Sequence, residues 1–283
     1  MEKNIIVQVK DLVFSYPDGT KAIEDISINF YEGEFIAFIG TNGCGKTTFS
    51  KCLNGILKAT SGSINVNGID VVHTKDCMEL VKNIGYVFQN PDHQLFNNNI
   101  YDEIAYAPRN LRISEEEVKK RVLEAAKTAG VSESLFKEHP FFQVKGLRQR
   151  IAIASILSLK PKIIIVDEPT TGQDYKQSTE VMEFLKMLNE KMGHTIIIIT
   201  HEMDIVAEYA KRVVVMNSGR VLSEGSVQEV FSKANLLEEA NIKPPQITRL
   251  AQSLESEGFT KNVISAEEMY AEWKTISKID SLN

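Results

Sequence analysis

The stretch Gly40-Thr41-Asn42-Gly43-Cys44-Gly45-Lys46-Thr47 fits the spacing Gly-x-x-x-x-Gly-Lys-Ser/Thr and constrains everything built around it. Before it, Phe35-Ile36-Ala37-Phe38-Ile39 is a short apolar run suited to a buried parallel strand; the residues after Thr47 suit a helix. In that setting the glycines let successive backbone N–H groups turn inward around β- and γ-phosphates, helped by the positive end of the following helix. Lys46 is expected to reach the phosphates and the Thr47 hydroxyl to ligate Mg²⁺. Gly40, Thr41, Asn42, Gly43, Cys44, Gly45 and Thr48 complete the expected nucleotide-binding stretch.

Composition narrows what such a loop can serve. At 283 residues, with 43% hydrophobic and 25% charged residues, the chain has room for one large α/β domain or for a core domain with a small appendage. No apolar run approaches the roughly 18 residues of a membrane span, and Met1-Glu2-Lys3-Asn4 lacks the apolar stretch of a signal peptide, so a cytoplasmic chain is expected. The net charge of −6 offers no electrostatic footprint for nucleic acid, which is not expected as a partner. Cys44, Cys52 and Cys77 have neither C-x-x-C spacing nor an even count, which points to reduced thiols.

Near the start, Ile5 to Val9 and Leu12 to Phe14 read as strand, and Tyr16-Pro17-Asp18-Gly19 as a turn. Tyr16 ends that strand, where an aromatic ring can stack on an adenine face. Further on, Ile84-Gly85-Tyr86-Val87-Phe88 reads as a strand ending on Gln89. Ligands of open α/β sheets sit beyond the carboxyl ends of strands, so Gln89 is placed to meet Mg²⁺ or an attacking water.

Lys162-Ile163-Ile164-Ile165-Val166 is a central strand by its run of β-branched residues, and two carboxylates, Asp167 and Glu168, stand at its tip. A bland account makes Asp167 a cap and leaves Glu168 solvated. Beside a phosphate loop, Asp167 is expected to hold Mg²⁺ through water and Glu168 to act as the general base for the attacking water. Thr195 to Thr200 is another such strand, ending on His201, which can hydrogen-bond a γ-phosphate. Between these strands, Tyr101 to Glu138 reads as charged, periodic helix. Within it Ser114 and Glu117 have capping-box character, and Val118, Val122, Ala125 and Ala129 recur at helical spacing. A second helix opens at Gly146, with Leu147, Ile151, Ala154 and Ser158 on one face.

In order and spacing these residues resemble the nucleotide-binding subunits of ABC transporters, from about Ile5 to Glu224. The resemblance makes Tyr16 the adenine-stacking position, Gly40 to Thr47 the Walker A loop, Gln89 the Q-loop, Ile163 to Glu168 the Walker B strand with its catalytic glutamate, Thr171-Gly172-Gln173-Asp174 the D-loop and His201 the switch histidine. Phe88 to Phe96, and a tail containing Ile242 to Ile247, are similar to the energy-coupling-factor group, which includes cobalt importers. The fold implied is an α/β P-loop NTPase of ABC type with a mixed β core. The implied ATP-binding domain covers 1–225, with a helical subdomain near 90–160, followed by a C-terminal helical extension over 226–283.

The resemblance further implies ATP and Mg²⁺ as ligands, with two subunits stacked head to tail around ATP. It also implies an integral membrane transport partner, with this chain peripheral on the cytoplasmic face of the cell membrane. Two other functions fit the motifs: a regulatory subunit with little turnover, or a soluble ABC-type ATPase not tied to transport.

One loop departs from the family. Its signature reads Leu-Ser-Gly-Gly-Gln, whereas Gln143-Val144-Lys145-Gly146-Leu147 stands here. Val144 cannot give a serine hydroxyl to the opposite γ-phosphate, a charged hydrogen bond of about 1.5–3 kcal/mol. Lys145 either blocks close backbone approach or brings a new cation. An asymmetric heterodimer is therefore expected in preference to a homodimer. Cys44 is either a passive small side chain or a thiol whose alkylation blocks nucleotide binding.

Overall fold

The structure is a computed structural model describing residues 4–75 and 77–280; the sequence reading of Met1 to Lys3 lies outside these. From the amino end the chain forms β1 (Ile5–Ser15), β2 (Lys21–Tyr31), β3 (Phe35–Ile39), α1 (Lys46–Leu53), β4 (Ser61–Val66), β5 (Ile69–Asp70), α2 (Cys77–Val81) and β6 (Ile84–Val87). Next come α3 (Ile100–Asn110), α4 (Glu115–Ala129), α5 (Lys145–Leu157), β7 (Ile163–Asp167), α6 (Tyr175–Glu190) and β8 (Thr195–Ile199). The remainder is α7 (Met203–Tyr209), β9 (Arg212–Asn217), β10 (Arg220–Gly225), α8 (Val227–Phe231), α9 (Ala234–Glu239), α10 (Gln246–Ser253) and α11 (Ala266–Asp280). Two compact units result, one holding the residues up to Glu34 with Thr47–Ile199, the other Phe35–Lys46 with the residues from Thr200 onward.

In the first unit β2, β1, β4 and β5 make an antiparallel sheet in that order. A separate ladder runs β6, β7, β8 in parallel, pairing Val87 with Val166 and Asp167 with Ile199. Every residue of these three strands is buried, as expected for parallel strands covered on both faces. The register sets the residues that follow Val87 and Val166 side by side on the carboxyl edge, which is where Gln89 and Glu168 leave the sheet.

Helices α3, α4 and α5 pack on one another, and α5 also packs on β6. The expected α4 stripe is realised, since Val118, Val122, Ala125 and Ala129 are all buried. Three local expectations change. The stretch from Tyr101 breaks at Arg112, whose φ is 55°, into two helices. Ser114 Oγ does accept from Glu117 N at 3.3 Å, but Glu117 turns its carboxylate to Arg121 Nε at 2.8 Å, so a guanidinium one turn on replaces the second half of the capping box. Helix α5 is buried over most of its surface, from Ile151 through Ser155, and so belongs to the core and not to an amphipathic surface.

In the second unit β3 lies parallel to β9, with Ile39 opposite Val215, and β10 returns antiparallel to β9. Strand β3 is wholly buried. Helix α8 starts on a complete capping box between Ser226 and Glu229, and Gln252 Nε2 of α10 donates to the Phe231 carbonyl at 2.9 Å, tying α10 to α8.

Candidate functional site

In the second unit, Gly40 to Lys46 continue from β3 as a loop stitched by Cys44 N donating to the Thr41 carbonyl at 3.2 Å and anchored by Gly219 N donating to the Cys44 carbonyl at 2.9 Å. Gly40 has φ +154°, and a Cβ there would lie 2.3 Å from the Met216 carbonyl oxygen, so no larger residue fits. Lys46 is 7% exposed and curls into the loop, where Nζ donates to the carbonyls of Gly40 at 2.8 Å and Thr41 at 2.9 Å. Asn42 and Gly43 at the loop tip are exposed, while Gly45 is buried. Cys44 is 4% exposed and its Sγ is 3.7 Å from Lys46 Nζ, so the thiol faces inward and a reagent reaches it only if the loop opens. His201 is exposed, and its neighbour Thr200 donates its N–H to the carbonyl of Phe38, two residues before Gly40, at 3.2 Å.

In the first unit the start of α1 meets the tip of β7. Thr47 Oγ1 donates to Asp167 Oδ2 at 3.0 Å. The same oxygen accepts from Tyr86 Oη at 2.9 Å, and Tyr86 Oη lies 3.2 Å from Ser50 Oγ. Burial, with the charge of Asp167 adding to it, pushes the Tyr86 phenol far above its ordinary range and keeps it a donor. Thr47 Oγ1 and the Asp167 carboxylate are hard oxygen ligands of the kind Mg²⁺ takes, and they converge on one point without any cluster of protein ligands. Among the described residues no group of three or more His, Cys, Asp or Glu gathers as a metal site.

Glu168, 8% exposed, leaves β7 with φ 49°. A glutamate enters this left-handed region only when its surroundings hold it there, and such strain gathers at functional sites. Its N–H donates to the Ile199 carbonyl at 2.8 Å and its Oε2 accepts from Thr171 Oγ1 at 3.2 Å. Gln89 is exposed just beyond β6, next to Asn90, whose side chain caps a short 3-10 turn at Pro91–His93. Tyr16 is 38% exposed with its hydroxyl 2.9 Å from Thr48 Oγ1, so its ring lies by the first turn of α1.

Tyr86, Ser50 and the Arg148–Asp92 pair escaped the sequence reading. Arg148 Nε lies 2.7 Å from Asp92 Oδ1 while its Nη1 donates to the Gln143 carbonyl at 2.7 Å, joining the turn after Gln89 to the loop at 143–147. Tyr86 did carry a signal, because a tyrosine inside an otherwise apolar buried strand needs a partner for its hydroxyl. Val144 is 71% exposed and is the residue before α5, where it makes no side-chain cap.

The ABC transporter family model matches residues 23–171, over half of the chain. The chain belongs to the ABC transporter ATP-binding family. As a member of that family it is an ATP-binding P-loop ATPase of ABC type. An ABC transporter ATP-binding protein of Caldanaerobacter subterraneus subsp. tengcongensis is 50% identical over 94% of this chain, which spans 45% of that relative's length. The energy-coupling factor transporter ATP-binding protein EcfA2 of the same organism is 39% identical over 93% of this ABC chain and 94% of its own. Among solved structures, cbiO1 of Clostridium perfringens, part of the ABC transporter complex cbiONQ, is 37% identical with a TM-score of 0.75, covering 88% of this chain and 100% of that one. These relatives set the ABC ATPase among the energy-coupling-factor proteins. Among the described residues no helix is long and apolar enough to cross a membrane.

Proposed function

We propose that this ABC ATPase is the ATP-hydrolysing motor of an importer for cobalt, nickel or a vitamin, peripheral on the cytoplasmic face of the membrane and docked to an integral membrane subunit. The pairing of Thr47 with Asp167 on the strand edge from which Gln89 and Glu168 emerge carries the ATPase reading, and the similarity to EcfA2 and cbiO1 supports the importer. In that arrangement the loop Gly40–Lys46 cradles the phosphates and Tyr16 and Thr48 flank the adenine side. Thr47 and Asp167 would hold Mg²⁺, Thr47 directly and the carboxylate through a bridging water. Glu168 takes the proton of the attacking water, and Gln89 and His201 orient that water and the γ-phosphate. Mg²⁺, when bound, supplies charge neutralisation of the β- and γ-oxygens. The ATP-binding domain is taken as 1–225 with its helical subdomain near 90–160, and 226–283 as a helical extension.

Two ATP-binding subunits are proposed to stack head to tail, each giving its 143–147 loop to the other's nucleotide. Phe142 at 85% exposure precedes that loop, Val144 at 71% lies in it and Tyr175 at 87% follows the D-loop, an apolar display that a second subunit would cover. Val144 and Lys145 favour a different protein as that second subunit. The test is ATP turnover of the purified chain alone, together with mass spectrometry of the proteins that co-purify from membranes in mild detergent. Slow turnover alone and recovery of a second ATP-binding chain with a membrane protein support the proposal; brisk cooperative turnover of the chain alone contradicts the heterodimer.

A further inference from the structure

Lys145 stands where the family resemblance places a glycine, and its side chain has a definite destination. Nζ donates to the Thr171 carbonyl at 2.7 Å. Thr171 in turn bends back on Glu168: its Oγ1 donates to Oε2 at 3.2 Å and its N–H to the Glu168 carbonyl at 3.4 Å. The fit of the lysine is two-sided, because Gly172, at φ +71°, leaves its space open; a Cβ there would lie 2.6 Å from Lys145 Nζ. A cation in the 143–147 loop is thus connected through a single residue to a carboxylate held in a strained backbone conformation.

We propose that Lys145 is a positioning residue for Glu168. Its charge-assisted bond fixes the Thr171 carbonyl, and Thr171 then sets the attitude of the Glu168 carboxylate. The loop turned toward the second subunit's nucleotide thereby governs this chain's own hydrolytic group, and the residue that weakens one site orders the other. This rests on Glu168 being the general base and on the head-to-tail arrangement proposed above. Displacing a catalytic group by about 1 Å can cost on the order of a hundredfold in rate, so a partial loss of order is expected to cost about tenfold.

The test is steady-state ATP turnover of the full-length chain, in the complex isolated from its host's membranes, for Lys145→Met, Lys145→Arg, Thr171→Val and the double variant K145M/T171V, with Glu168→Gln beside them. The expected result is a kcat about tenfold lower for K145M with nucleotide KM within about twofold, recovery of most of the rate in K145R, and no further loss when K145M is added to T171V. An unchanged kcat in K145M beside an inactive E168Q overturns the link and leaves the role of Glu168 standing. An E168Q variant that still turns over overturns both. Equal changes of kcat and KM, with no recovery in K145R, mark a structural role and also overturn it. Where K145M does not fold, T171V alone decides, and a wild-type kcat there overturns the proposal.

Discussion

Thr47 Oγ1 and Asp167 Oδ2 are 3.0 Å apart although 120 residues separate them in the chain. The contact joins the first turn of α1 to the tip of β7, so the phosphate loop's own helix reaches the carboxylate of a distant strand. Tyr86, on β6, donates to the same oxygen. Hydrogen bonds to a charged group contribute about 1.5–3 kcal/mol when buried, so Tyr86→Phe should lower the unfolding free energy by roughly that amount in the absence of nucleotide. Urea unfolding of the two proteins measures it, and an unchanged midpoint would show that Asp167 does not depend on the phenol.

Val144 precedes α5 without capping it, and its side chain is exposed. A serine there would satisfy an orphan N–H and restore the hydroxyl that the signature normally offers. Val144→Ser should therefore stabilise the chain by about 0.5–2 kcal/mol and raise turnover at the second subunit's site. Chemical denaturation and turnover of the isolated complex measure the two effects separately.

His194 Nδ1–H donates to the Pro161 carbonyl at 2.8 Å, and burial depresses its pKa below the ordinary value of 6.5. The unfolded chain therefore takes up the proton first as pH falls. Stability from this residue is present above about pH 6.5 and declines as pH falls from there through the depressed folded value. His194→Gln should flatten the slope of stability against pH in that window, read as the urea midpoint at pH 7 and pH 5. A parallel slope in both proteins would assign the acid sensitivity to other groups.

The three cysteines should react in a fixed order. Cys77 is exposed; Cys52 is buried, which pushes its thiol up to about 12; Cys44 is buried within the phosphate loop. Thiol labelling followed by peptide mapping should find Cys77 modified first, Cys44 slowly and less so with Mg-ATP, and Cys52 last. Equal labelling of Cys44 with and without Mg-ATP would show that the nucleotide does not close over it.

Sequence patterns exposed the parallel strands because runs such as Ile163-Ile164-Ile165-Val166 have few other places to be buried, and the groups at strand tips follow from that. Gly40 and Lys46 are legible from the Gly-x-x-x-x-Gly-Lys-Thr spacing, and Asp167 and Glu168 from their place at the tip of such a strand. What pattern could not reveal is pairing across the chain. Arg148 reaching Asp92, and Lys145 reaching Thr171, depend on how α5 packs, and α5 is buried on too many sides for its periodicity to mark a single face. Lys145 could be read as a free cation near phosphate; in the fold its ammonium is directed to a backbone carbonyl.

Glu168, held by Thr171 beside the Thr47–Asp167 pair, is the proposed general base for ATP hydrolysis. ATP turnover and bound nucleotide should be measured in the membrane-derived complex carrying Glu168→Gln. Loss of a general base typically costs about 10²–10⁴-fold, so turnover should fall at least a hundredfold while ATP stays bound. Turnover within twofold of the wild type would contradict the account.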